Sequence, residues 1–463
     1  MYMKNRKRRF VNFSLYDYQG VEEHLSAMAA KGWRLEKVGN TLWTYRRAEP
    51  ARVRYAVTYN AEASQFNPGP TEGQQSLAEL CAAAGWEKVS DWFQAQIFTT
   101  EDPNAVPLET DEALRLENIH RTVKRHFYPP HLLLLVLSLF MTASFVNSII
   151  RTPARVFGSS SRLFSGLLYI ILTVLLLVNL GSYWLWRRRS LRSVEAGGSC
   201  VRLGPGCRRT AWVSLALVLL LSAGYALSSL LGSQKIYGVY FLVYLILFTL
   251  LALTVHGTKN HLKRRGVSRG KNMAATLTVD FVLAFALVGG LTWSAMHFGW
   301  FTGGEGETYS YQNHIWDADP IDIPLTAADL TGQPVQHTRR KVWREDTVFL
   351  SSRRYWETAL VDGERYFLSY DIWDIRAGWL YEPLLEELLR EENHSSVPLM
   401  ERRYVQEDAA PWGAETAWRL YWGDTASGTW LLAWPDRIVE VQLEHVPPTA
   451  KEMALVGDLL GPA

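Results

Sequence analysis

Hydrophobic and polar positions divide this chain into three stretches. In the middle stretch apolar residues run almost unbroken five times, over 131–150, 163–186, 211–231, 236–255 and 273–298. Each run reaches the roughly 20 apolar residues that an α-helix, rising about 1.5 Å per residue, needs to cross a hydrocarbon core of about 30 Å. Lipid offers backbone N–H and C=O groups no partner, so each run is read as a transmembrane helix and residues 129–298 as a five-helix membrane domain. The competing reading, five buried helices of a water-soluble protein, demands far more polar wrapping than the flanking segments supply.

Ahead of these runs the pattern changes to short alternations and helical stripes, and it occurs twice. The first copy is FVNFSLYDYQ followed by GVEEHLSAMAAKGW, with an apolar stripe at Val21, Leu25, Met28 and Ala29. The second is VRYAVTYN followed by GQQSLAELCAAAGW, with a stripe at Leu77, Leu80, Cys81 and Ala84. Both helices close on Gly-Trp, Gly32-Trp33 and Gly85-Trp86. Glycine accepts the left-handed conformation that ends a helix, and the tryptophan can fold back over the last turn as an apolar lid. Short aromatic-rich strands follow, marked by Val38, Trp43 and Tyr45, then by Val89, Trp92 and Phe98. A duplicated βαββ unit predicts an α+β domain over residues 1–105, a ferredoxin-like sandwich with one antiparallel sheet and two helices on one face. Residues 106–128 then read as a linker helix with a narrow stripe of Leu114, Leu116, Ile119 and Val123. Capping groups at Thr110, Asp111 and Glu112 start it, and Pro129-Pro130 stops it.

Behind the fifth run a glycine-rich exit, FTGGEGE, leads into a second α+β domain over residues 299–463. Strand-like segments KVWREDTVFLSS, YWETALV and ERYFLSYDIW precede an amphipathic helix, LYEPLLEELLREEN, with Leu380, Leu384, Leu388 and Leu389 on one side. Strands return in LMERRYVQE, TAWRLYWGD, GTWLLAWPD and RIVEVQLEH, with turns expected at GDTASG and at Pro435-Asp436. Thr449 and Glu452 have capping-box spacing ahead of a last helix, TAKEMALVGDLL. Its tryptophans are read as core and membrane-interface residues ahead of a ligand platform.

The residues Phe13, Tyr16, Asp17, Glu23, Leu25, Met28, Ala29, Gly32-Trp33, Leu35, Tyr45, Tyr55 and Ala84-Gly85-Trp86 resemble the pattern of the domain-of-unknown-function 2812 family. The resemblance covers about the first quarter of the chain. It implies a bacterial, mostly Gram-positive membrane protein whose N-terminal domain precedes transmembrane helices. It also implies a PadR-type transcriptional regulator in the same pathway. It brings no catalytic residues with it.

Charge adds a direction. The formal net charge is only +2, yet from residue 299 onward 28 Asp and Glu face 14 Lys and Arg. The positive excess elsewhere lies partly before the first run (Arg121, Lys124, Arg125). More of it lies after the second (Arg187, Arg188, Arg189, Arg192, Arg202, Arg208, Arg209) and after the fourth (Lys259, Lys263, Arg264, Arg265, Arg269, Lys271). The loop after the first run has Arg151, Arg155 and Arg162, and the loop after the third has Lys235. Lys and Arg stay in the cytoplasm during insertion, which places the N-terminus inside and the C-terminal domain outside a plasma membrane, with Asp102 cytoplasmic and Ser351 exposed outside. No apolar run precedes the first domain, so the first helix is expected to direct insertion in place of a cleavable signal. The opening MYMKNRKRRF reads as a basic terminus that is solvated or touches the inner leaflet. No basic face for nucleic acid stands out, so no direct nucleic-acid binding is expected.

Chemical motifs are scarce. The chain has no phosphate-binding GxxxxGK[ST], no HExxH and no GxSxG, and no catalytic, cofactor or metal site is expected. Asp371 and Asp374, with Glu357, have the residue types of an acid pair, but a charged outward strand face explains them equally. Cys81 falls on a helix stripe, while Cys200 and Cys207 flank a glycine-rich loop and are expected as free thiols. Asp280 is the candidate functional residue of the membrane domain, as a carboxylate about two turns inside the fifth run. It is read either as a proton or cation site, or as a group reaching water or pairing with Lys271 or an arginine of the second loop. Asn147, Asn179, Ser222, Tyr225, Ser228 and Ser229 are expected to form interhelical hydrogen bonds.

These readings converge on a sensory or regulatory membrane protein that links an extracytoplasmic domain to a cytoplasmic one. Its expected partners are the lipid bilayer and a cytoplasmic protein bound through residues 1–105. The alternative is a transporter or permease component in which Asp280 couples ions.

Overall fold

The computed structural model describes residues 5–39, 42–92, 94–231, 235–297, 307–312, 314–390, 402–444 and 447–462. Two compact units form: residues 1–142, 168–221 and 245–287 make the first, and residues 143–167, 222–244 and 288–463 the second.

The first unit opens with β1 (Arg6–Phe10), α1 (Tyr18–Ala30), β2 (Trp33–Lys37) and β3 (Leu42–Arg47). The same succession follows in β4 (Arg54–Tyr59), α2 (Glu72–Ala83), β5 (Glu87–Trp92) and β6 (Ala95–Thr100). The duplicated βαββ order is therefore present, but the expected single sheet is not. Each copy builds its own three-stranded antiparallel sheet, ordered β1-β3-β2 and β4-β6-β5. The edge strands β2 and β5 carry a register shift at matching places, between Leu35 and Lys37 and between Lys88 and Ser90. A bulge bends an edge strand and breaks its regular row of donors and acceptors, which works against ladder pairing between the copies. The first strand also lies earlier than its alternation suggested, within the basic opening. Lys7 and Arg9 pair across the ladder with Tyr45 and Trp43, and those buried rings fix its register.

The helices differ in what they cover. Val21, Leu25 and Ala29 of α1 share one core with Trp43 and Tyr45 of the first sheet and with Val57, Tyr59 and Ile97 of the second. Helix α2 packs through Cys81 onto Trp86 and Phe98, while Leu80 and Ala84 of its expected stripe are exposed. Helix α3 (Glu112–His126) is no free connector. Its Leu116, Ile119 and Val123 are buried in the core shared by α1 and both sheets, and only Leu114 of the expected stripe faces out.

Long helices follow: α4 (Tyr128–Arg151), α6 (Ser160–Glu195), α7 (Pro205–Leu231), α8 (Lys235–Arg264) and α9 (Arg269–His297), with a short α5 (Pro153–Phe157) after α4. All five long helices are long and apolar enough to cross a membrane, and large apolar side chains such as Leu133, Leu220 and Phe285 are exposed on them. Helices α6 and α8 outrun their apolar stretches, because α-helical hydrogen bonding continues through Arg187–Glu195 and His256–Arg264. Thr142 of α4 meets Thr173 of α6 at 3.0 Å, whereas the Ser228 hydroxyl donates to the Tyr225 carbonyl of its own helix. Tyr225 instead stacks on Phe164 and meets Phe241 edge-on.

The rest of the second unit comprises the ribbon β7 (Thr308–Tyr311) and β8 (His314–Asp317), α10 (Ala327–Thr331), β9 (His337–Asp346), β10 (Leu350–Val361), β11 (Glu364–Ile375), α11 (Tyr381–Leu389), β12 (Arg402–Glu407), β13 (Thr416–Trp422), β14 (Thr425–Ala433), β15 (Arg437–Gln442) and α12 (Ala450–Leu460). Seven strands form one antiparallel sheet in the order β12-β13-β14-β15-β11-β10-β9. Period-two alternation gives this sheet two apolar faces. On β14, Trp430 and Leu432 join α12 residues Val456 and Leu460 in one core, while Leu431 and Ala433 join Leu384 of α11 in the other. Five of the domain's tryptophans, Trp316, Trp373, Trp412, Trp430 and Trp434, are core residues. The β10–β11 turn is Asp362-Gly363, with φ of 50° and 85°, the left-handed pair of a two-residue hairpin. The β13–β14 turn is tighter than expected, with Gly423-Asp424 between the strands and the rest of TASG inside β14. The Thr449–Glu452 capping box on α12 is formed. The glycine-rich exit over 301–306, residues 391–393 after α11 and residues 399–401 before β12 lie outside the described residues. The chain is a multi-pass membrane protein with an N-terminal α+β region and a β-rich C-terminal domain.

Candidate functional site

A cluster of chemical groups lies in the first unit, where α1, α3 and the connection between α6 and α7 meet. Asp17 caps α1 by accepting from Gly20 N at 3.2 Å, and Asp111 caps α3 by accepting from Ala113 N and Leu114 N at 2.9 and 3.0 Å. These starts fix which residues of each first turn face the core: Tyr18, Gln19 and Glu22 from α1, Glu112 and Arg115 from α3.

Glu112 is the joint. One carboxylate oxygen accepts from Arg115 Nη1 at 2.5 Å, and the other accepts from the Cys200 backbone N–H at 3.0 Å. Gln19 closes the same joint by donating Nε2 to the Cys200 carbonyl at 3.1 Å. Arg115 spans back to Glu109 through Nε at 2.7 Å and lies over the Tyr18 ring at 5.0 Å. Glu23 pairs with Arg202. Beneath the joint, Tyr16 packs on Tyr183 and Trp186 of α6, with ring centroids 5.0 Å apart in both contacts. An open cleft of about 460 Å³ beside the joint is lined by residues including Gln19, Glu22, Glu23 and Cys200.

Electrostatics decide what this cluster can do. Burial is the largest influence on Glu22 and raises its carboxyl from 4.5 to about 7, although Val57 N donates to it at 2.9 Å and Arg115 opposes the rise. Burial also raises Glu109 and Tyr18. The Cys200 thiol is pushed up to about 11, first by burial and then by the charge of Glu112. A thiol held neutral at pH 7 is a poor nucleophile, so the cluster does not have the character of a cysteine active site. The arrangement sets a carboxyl that burial raises toward neutral pH beside the Glu112–Arg115 ion pair.

The residues singled out from sequence lie elsewhere. Asp280 is half-buried on α9 and, among the described residues, forms no ion pair with Lys271 or an arginine. Gly32 and Gly85 have φ of +77° and +79°. Trp86 is buried and donates Nε1 to the Val106 carbonyl at 2.9 Å, whereas Trp33 is half-buried with Lys7 over its ring at 5.2 Å. The acids of the C-terminal domain are matched by arginines: Asp371 by a bidentate Arg354, Asp374 by Arg353 and Arg437, and buried Glu357 by Arg340 at 2.8 Å. Such pairing holds these three carboxyls in ion pairs and not as a free acid–base pair. Ser351 is buried on β10. Cys81 and Cys200 are free and buried, and the side chain of Cys207 lies outside the described residues. Among the described residues no group of three or more His, Cys, Asp or Glu could hold a metal.

Sequence reasoning missed this cluster because Glu112 and Cys200 are 88 positions apart. One local signal was available. Glu22 falls on the apolar stripe of α1, three residues before Leu25 and seven before Ala29, where an acid is out of place. No curated protein and no solved structure matches the chain. Residues 17–129, from the α1 cap through α3, match the model of a family described as a protein of unknown function, DUF2812.

Proposed function

We propose that this is a sensory or regulatory protein in which an extracytoplasmic C-terminal domain is linked through five membrane helices to a cytoplasmic N-terminal domain. One observation carries the reading: each soluble domain is tied to its own set of interhelical connections. The N-terminal domain holds the α6–α7 connection through Cys200. It also holds the α8–α9 region, where Lys259 donates to Gln65 at 2.9 Å and Asn272 donates to the Phe66 carbonyl at 3.1 Å. The C-terminal domain holds the α4–α6 connection. Thr347 donates to the Phe157 carbonyl at 2.5 Å, and Ala154 N donates to Glu387 at 2.6 Å. In a five-span chain the second and fourth connections share a side with the N-terminus, and the first shares a side with the C-terminus. The arginine- and lysine-rich pair belongs in the cytoplasm. Domains bonded to connecting segments, and not merely tethered, can pass strain into the helices. The output passes to a cytoplasmic protein through the N-terminal domain.

Two measurements test this. With Cys207→Ser as background, Asp102→Cys and Glu364→Cys are labelled in intact cells with an impermeant thiol reagent. Reaction only at position 364 supports the orientation, and reaction at 102 overturns it. Hydrogen exchange at residues 17–25 and 196–203 is then compared with and without residues 307–462 in nanodiscs. Altered protection supports linkage, whereas identical exchange means that the two domains are independent and removes the sensory reading.

A further inference from the structure

The sheet β1-β3-β2 has one face in the core and one outside. Trp43, Tyr45 and Leu35 point inward. Cross-strand register places Arg6, Arg46 and Arg34 in one outward row, Arg8, Thr44 and Lys37 in the next, and Phe10 beside Leu42 in the last. Like charges set side by side across a ladder repel, so a row of three arginines weakens the sheet that carries it unless anions lie over it. Internal acids neutralise only part of the face: Arg6 meets Glu36 and Arg34 meets Glu101, while Arg8, Lys37 and Arg46 form no ion pair among the described residues. The apolar end of the face is exposed as well, with Phe10 at 42 % and Leu42 at 51 %. Phe10 also contacts Trp212 at a ring separation of 4.8 Å, and Trp212 is the first residue of the α7 membrane span.

We propose that this outer sheet face is a docking surface for the anionic lipid headgroups of the leaflet bordering the start of α7. Phe10 and Leu42 enter the interfacial layer beside Trp212, and the rows of Arg8, Lys37 and Arg46 lie over phosphates. Two features select lipid over other polyanions. The apolar residues stand at the end of the face that meets the membrane span, and cationic rows adjoin them as on interfacial elements that lie against a bilayer. Each cation near an anionic surface strengthens binding about fivefold, and the effect fades within a Debye length, about 8 Å at physiological salt.

The test uses the full chain in nanodiscs of neutral phosphatidylcholine or of a seven-to-three mixture with phosphatidylglycerol. The readout is hydrogen exchange over residues 5–12 and 42–47. Exchange on the order of tenfold slower in the anionic nanodiscs, reversed by high salt, is expected. The triple variant Arg8→Glu, Lys37→Glu, Arg46→Glu is expected to lose that difference while residues 18–30 keep their protection. If the variant loses protection at 18–30 as well, the milder Arg8→Gln, Lys37→Gln pair replaces it, with a partial loss expected. Equal exchange in the two lipid mixtures overturns the proposal. So does protection produced in neutral nanodiscs by soluble inositol hexaphosphate, which would identify a site for free polyanions.

Discussion

Glu22→Gln isolates the proton-binding group of the α1 joint. In the folded protein the Glu22 carboxyl titrates near 7, and an unfolded chain returns it to about 4.5. Between those values the folded state binds more protons than the unfolded state, so this group makes stability fall as pH rises and adds no further change above about 7.5. At 1.36 kcal/mol per pH unit the full effect is roughly 3 kcal/mol, an upper bound because the side chain is half-buried and water screens it. Glutamine keeps an oxygen for the Val57 N–H and cannot ionise. Hydrogen exchange of the α1 segment in the full-length protein, corrected for intrinsic base catalysis, reports the local opening energy at pH 5 and pH 8. Wild type is expected to lose up to about a hundredfold in protection between the two, and Glu22→Gln a small fraction of that, with the two proteins alike at pH 5. Parallel pH profiles would show that Glu22 is solvated, and that burial does not govern it.

The Gly-Trp helix ends separate two effects. Alanine at Gly85 meets only the left-handed backbone, about 1 kcal/mol, because a Cβ there has open space, whereas alanine at Gly32 also brings Cβ to 2.8 Å from the Ala48 carbonyl oxygen. Gly32→Ala should therefore destabilise more in thermal unfolding, and the opposite order would refute the steric argument. Ile119→Ala should cost about 2–5 kcal/mol of N-terminal-domain stability by opening a cavity under α3, and a loss below about 0.5 kcal/mol would return α3 to the role of a passive linker. Asp280→Asn should leave proteoliposome ion flux and N-terminal exchange unchanged, and a flux present in wild type but lost in the variant would favour a transporter.

What sequence could reveal followed the range of each physical cause. The membrane spans were legible because lipid imposes length and apolarity on every residue of a run. The α12 capping box, Thr449 with Glu452, was legible for the same local reason. Sheet membership was not, since the alternation of β2 and β5 says nothing about a bulge that closes an edge. The α3 stripe announced a buried face but not its partner, and that partner includes Tyr183 and Trp186 from a helix beyond the first span. The joint at Glu112 depends on a backbone N–H, which carries no side-chain signature at all.

That joint has a consequence for biosynthesis. The core of the N-terminal domain includes Tyr183 and Trp186, near the end of the second apolar helix, and Cys200 beyond it, all translated after the first span. A nascent domain emerging from the ribosome can form its two small sheets at once. It cannot complete its core until the second span has been delivered to the membrane and the chain has been extended past Cys200. For those seconds of synthesis Tyr16 and the apolar faces around it remain uncovered, at the stage when partly built domains are most prone to misassociate. Completion of the N-terminal core in this way waits on the second span, and a chain that misplaces this helix also misplaces Tyr183 and Trp186, which finish the first domain.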